Sequence, residues 1–148
     1  MAVVELSFVA RPAHVRTARQ IAVALARRSK VADETLDEIR LAVGEACALV
    51  VSLQSQVCPD EPVLLVFEDS AGLAVDVRST APLETASGDA AFKLLADAIA
   101  PSPDATDELP VGAALAVLAE LVPRLDLTTS GQGVRLALGW PPVAATRL

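Results

Sequence analysis

The sequence predicts an α+β fold: a two-layer α/β sandwich with helices on one face of a mixed or antiparallel sheet of four or five strands. Two observations carry this. Apolar residues recur at helical spacing in four stretches and form alternating or β-rich runs in five short ones. The order of these stretches is β α α β β α α β β, with helices grouped and strands returning on themselves, unlike the strict alternation of a doubly wound parallel sheet. A length of 148 residues, 53% hydrophobic and 21% charged, suits one core and excludes intrinsic disorder. Residues 1–148 are therefore read as a single domain, with its core at about 3–140 and a frayed tail at 141–148.

Val3 to Val9 alternates as a strand with one buried face. Arg11-Pro12 ends it, and Pro12 suits the first turn of a helix. From Ala13 to Lys30, Val15, Ala18, Ala22, Leu25 and Ala26 recur at three and four, and the arginines fall mostly elsewhere. Asp33 is the expected N-cap of a second helix, 34–53, with a stripe of Leu36, Ile39, Val43, Cys47 and Val50 widened by Leu41, Ala46, Leu49 and Leu53. Gln54 to Pro62 reads as a polar loop. Val63–Phe67 and Leu73–Arg78 form a hairpin around Asp69-Ser70-Ala71-Gly72. Thr80 to Gly88 reads as irregular, 90–100 as a short helix, 101–110 as a loop and 111–124 as an apolar helix. Leu125–Thr129 and Val134–Leu138 close a last hairpin around Ser130-Gly131-Gln132-Gly133, a turn and not a phosphate loop, since no helix follows it.

Composition excludes several functions. Aromatics are 3%, with no tyrosine, too few for stacking bases or sugars. A net charge of -7 argues against nucleic acid as a partner. No apolar run reaches the roughly 20 residues of a membrane span, and no secretion signal opens the chain, so the expected compartment is the cytoplasm. The two cysteines make no disulfide framework: Cys47 sits on a core stripe and Cys58 in a loop. His14, the single histidine, has no metal-spaced partner and reads as a surface residue. Trp140 is placed as a cap on the sheet edge. Residues 1–40 hold seven basic and five acidic side chains, and the remaining 108 hold five and fourteen. A positive first helix on an acidic body favours an acidic partner, although solvated helix faces carry charge in any case.

The segment Ala10-Arg11-Pro12-Ala13-His14-Val15-Arg16-Thr17-Ala18-Arg19 resembles the opening of RsbW/SpoIIAB-type anti-sigma factors, members of the histidine-kinase-like (GHKL, Bergerat-like) ATPase superfamily. Leu36 to Ala46 is similar to their second helix, and Gly112 to Leu118 with Leu125-Asp126-Leu127 to the helix and strand after their second glycine motif. The likeness spans roughly residues 3–140. It implies the fold, a sigma-factor partner, an anti-anti-sigma antagonist of STAS type and a homodimer formed with the sheet layer.

The nucleotide motifs depart from that pattern. Glu45 stands where the family has its glutamate, but the asparagine that holds Mg²⁺ four residues later is Leu49. The aspartate and glycine of the first glycine motif are Ser79 and Ala81. Of the second motif Gly112 remains, and its partner is Ala114. ATP and Mg²⁺ are therefore not expected as cofactors, no catalytic residue is assigned beyond Glu45 as a relic, and no metal site is expected. Arg19 matches the family's partner-contacting arginine, and Arg11 and Arg16 lie near it. The expected function is sequestration of an alternative sigma factor, released by competition. The rival is an active ATP-dependent serine kinase that keeps Glu45 and Gly112, and a scaffold with no sigma partner is a weaker third.

Overall fold

The computed structural model describes residues 2–69, 71–100 and 110–143. Strand β1 (Val3–Phe8) turns Val4, Leu6 and Phe8 toward the core and leaves Val3, Glu5 and Ser7 exposed. It ends one residue short of the expected strand, and Val9 is exposed. Pro12 opens a 3-10 turn, Pro12–His14, that runs directly into helix α1 (Val15–Arg28). His14 is half-buried against Phe8, with ring centroids 5.3 Å apart, and is not a free surface residue. On α1, Ala18, Ala22 and Ala26 recur every four residues and are each at most 1% exposed. Small side chains at that spacing form a flat stripe on which α2 (Leu36–Val57) lies closely.

A second 3-10 turn, Asp33–Thr35, precedes α2, and Asp33 makes no capping bond. Thr35 Oγ1 instead donates to Ala32 O at 2.6 Å. Helix α2 packs on α1, on α4 (Val111–Leu121) and on β3 (Leu73–Ser79), so residues 42–54 are all buried or half-buried. Leu41 departs from the expected stripe and is 48% exposed. The helix also continues to Val57, because Gln54 enters the core instead of starting a loop.

The remaining elements are β2 (Val63–Glu68), β3 (Leu73–Ser79), β4 (Ala86–Ser87), α3 (Asp89–Ala98), α4 (Val111–Leu121), β5 (Arg124–Ser130) and β6 (Gly133–Trp140). The sheet has six strands in the order β1-β2-β3-β6-β5-β4, every neighbour antiparallel. The sixth is the two-residue edge strand β4, where Ala86 pairs with Thr129 in a stretch expected to be irregular. Two residues are too few to show a period. The helices cover one face, above Leu65, Phe67, Val75, Val77, Leu136 and Leu138. The other face carries Asp76, which accepts from Arg78 at 3.1 Å and from Arg135 Nε at 2.8 Å.

The β5–β6 turn needs Gly133, which has a φ of +141° and lies so close to the Ser79 carbonyl that a Cβ would collide with it. Trp140 belongs to an interior strand, paired with Leu73 and 3% exposed, so it does not cap an edge. Past it, Val143 N–H donates to Lys30 O at 2.5 Å, which ties the start of the expected tail to the end of α1. The rest of that tail, and residues 101–109 of the expected loop, lie outside the described residues. Among the described residues no helix is long and apolar enough to cross a membrane.

Leu136 is fully buried in the middle of the sheet, and Leu136→Ala should lower unfolding stability by about 2–5 kcal/mol in a denaturant titration. Leu41→Ala, on the exposed side of α2, should change it by about 0.5 kcal/mol or less.

Candidate functional site

Two regions contain the residues singled out from the sequence. The first lies where α2 crosses β3 and the start of α4. Glu45 is half-buried on α2, and four residues on Leu49 is 5% exposed and part of the apolar core. Ser79 closes β3 at 4% exposure, and Ala81 beyond it is fully buried. On α4, Gly112 is exposed with open space around it, whereas Ala114 is buried and its N–H already donates to Pro110 O at 2.9 Å.

Gln54, fully buried, connects the end of α2 to the exit of β3. Its Oε1 accepts from Ser79 Oγ at 2.5 Å and from Thr80 N–H at 2.9 Å. Its Nε2 donates to Thr80 Oγ1 at 2.7 Å, Cys58 O at 2.9 Å and Glu61 O at 3.2 Å. Ser79 Oγ in turn accepts from Ala81 N–H at 3.0 Å. Further along, Leu83 N–H donates to Ser130 O at 2.9 Å and Thr129 Oγ1 to Glu84 O at 2.5 Å. The 79–84 segment is thus bonded to α2 at one end and to β5 at the other.

The second region is a groove of about 430 Å³ beside α1 and the first turns of α2, lined by Arg16, Arg19, Arg27 and Arg40 over Val23 and Ala24. Arg40 faces Asp37 at 4.0 Å, with both side chains in solvent, an arrangement that contributes little. Among the described residues Arg16, Arg19 and Arg27 pair with no carboxylate. Arg19 lies across α2 above Gly44: a Cβ built there would collide with Arg19 Nε and stand 3.0 Å from Cζ and Nη2. Glycine inside a helix costs about 1 kcal/mol relative to alanine, so this close approach has a price in helix stability. Cys47, one turn on, is fully buried, and burial pushes its thiol up to about 12, with the Arg19 guanidinium opposing the shift. Arg11 is exposed at the entry to the 3-10 turn and does not line the groove.

A family model described as a histidine kinase-like ATPase domain matches residues 8–140. The chain belongs to that family. A search of curated proteins gave no match. The antiparallel sheet with its helices on one face is a histidine kinase-like ATPase fold, as the resemblance implied, with one strand more than the four or five expected. Within it, the structure brings Arg16 and Arg19 together and separates Arg11 from them. It adds Arg27, Arg40, Gly44 and Gln54, which sequence reasoning missed. The one signal for Gln54 was its place four residues past Val50, in line with the apolar stripe of α2. No signal marked Gly44, because its role depends on a side chain from another helix.

Gln54→Leu should leave Ser79 Oγ, Thr80 N–H and two carbonyls without their partner. The expected loss is about 3 kcal/mol or more of unfolding stability, read by chemical denaturation. In an alkylation time course on native protein, Cys58 should react and Cys47 only after unfolding, because the thiolate is the nucleophile.

Proposed function

We propose that this histidine kinase-like domain is a protein-binding regulator of anti-sigma type. In this reading it holds an alternative sigma factor in the cytoplasm and yields it to a STAS-type antagonist by competition, without using ATP. The observation that carries the reading is the set of arginines on α1 that have no carboxylate partner among the described residues, in a chain whose net charge is -7. Guanidinium groups placed in this way suit bidentate pairing with an acidic protein surface. A homodimer through the uncovered sheet face belongs to the same proposal.

The residues at the nucleotide positions do not fit a magnesium–nucleotide complex. Leu49 offers no oxygen to a hard cation. The Ser79 hydroxyl donates to Gln54 and accepts from Ala81 N–H, and so differs from the free carboxylate an adenine amino group would need. Ala114 lies where a glycine would let phosphate approach the helix end. The second reading, a serine kinase, is favoured by the half-buried Glu45 and the open surroundings of Gly112.

Calorimetry with millimolar Mg-ATP separates the two, and no heat of binding is expected. A dissociation constant in the micromolar range, or phosphate transfer to a co-purified partner, would favour the kinase. Capture of sigma factors on the immobilised domain tests the first reading directly. Arg19→Ala should weaken that complex about tenfold or more while moving the thermal midpoint by about 2 °C or less. Arg16→Ala should act in the same direction but less, and Lys93→Ala, exposed on α3, should change neither quantity.

A further inference from the structure

We infer that the arginine groove on α1 and α2 is the seat of one acidic segment of a partner protein, and that Gly44 aims Arg19 into it. The inference rests on the partner-binding reading and adds Arg27, Arg40 and Gly44 to the interface.

The spacing of the cations determines the size of the ligand. Arg16 and Arg27 are eleven residues apart on α1, about 16 Å along the helix axis, with Arg19 between them and Arg40 contributed by α2. A single phosphate or carboxylate reaches only one end of such a row. An extended polyanion fits it, and the lining favours an acidic protein segment over a nucleic acid. No aromatic side chain is present there on which a base could stack. Val23 and Ala24, between the arginines of α1, give the groove an apolar stretch that suits a side-chain methyl group of a peptide. An acidic protein segment with apolar residues between its carboxylates satisfies both features.

Gly44 supplies the orientation. Because it has no Cβ, the Arg19 side chain lies across α2 with its Nε in the space a Cβ would take, near the Cys47 turn, while the residue as a whole stays exposed. A guanidinium held in place loses less rotamer freedom on binding, which favours affinity. Alanine at 44 would displace only the far end of a flexible side chain and would favour the helix. Gly44→Ala therefore has opposite expected effects: weaker binding at equal or greater stability.

The test uses the full chain and a fluorescein-labelled acidic probe, a sixteen-residue peptide of glutamate, alanine and leucine, read by fluorescence anisotropy. A lysine counterpart and a single-stranded DNA oligomer of similar length are the comparison arms. The acidic peptide should bind, and more weakly as salt rises. The double variant Arg27→Glu/Arg40→Glu should lower its affinity at least tenfold. Gly44→Ala should lower it several-fold with a thermal midpoint equal to or above wild type, and Lys93→Glu should leave it unchanged. Tighter binding of the DNA or of the lysine peptide would overturn the inference, as would undiminished affinity in the double variant. Undiminished affinity in Gly44→Ala would remove the glycine from it. Sigma capture that survives Arg27→Glu/Arg40→Glu would sink the groove and leave the anti-sigma reading standing. A peptide that binds as described while no sigma factor is captured would do the reverse.

Discussion

One buried amide holds the end of this molecule where the helix layer and the sheet would otherwise separate. Gln54 accepts from Ser79 and Thr80 with its oxygen and donates to Thr80, Cys58 and Glu61 with its nitrogen. The C-terminal turn of α2, the connection into β2 and the exit of β3 therefore share a single anchor. A buried polar group with every atom satisfied is strongly orienting, since each alternative arrangement leaves donors or acceptors unpaired in the core. The same anchor fixes the position of the loop after β3. This stretch is not slack: Ala81 is buried, and Leu83 and Glu84 are bonded to β5.

Electrostatics divides the molecule along a different line. Asp76 pairs with two arginines of the outer sheet face, where register places Arg78 opposite Arg135. Among the described residues no such carboxylate serves the four α1 arginines, Arg16, Arg19, Arg27 and Arg28. Cations gathered on one helix repel one another, and that repulsion is relieved when an acidic surface arrives. The alanine stripe on the opposite side of α1 makes this possible, because anchoring is left to packing and the arginines are free of structural duty.

Most elements were legible because their apolar period is long enough to read. The hairpin of β2 and β3, helix α1 and the β5–β6 pair lie within a residue or two of expectation. The failures each have a cause. Gln54 is polar and was read as the start of a loop, yet tertiary bonds carry it into the core and extend α2 by a turn. Strand β4 has only two residues and exists because Thr129 and Thr128 offer it partners. Of the candidate sites, Glu45, Leu49, Ser79, Ala81, Gly112 and Ala114 could be named from residue identities in the chain. The groove was not, since Arg27 and Arg40 come together only when α1 lies on α2, and the space above Gly44 depends on an arginine twenty-five positions earlier.

The strand order also governs how the chain assembles during synthesis. The last strand, β6, does not close the sheet at an edge; it inserts between β3 and β5 and pairs with both. Until Gly133–Trp140 has left the ribosome, β3 therefore has an unpaired edge, and β5 and β4 have no sheet to join. The N-terminal helices and β1–β3 precede β6 in the chain, but the core lacks Leu136 and Leu138 until it arrives. Contacts of such long sequence separation form slowly, and the interval exposes a strand edge to other nascent chains. Truncation within the final strand thus removes the middle of the sheet, not its margin.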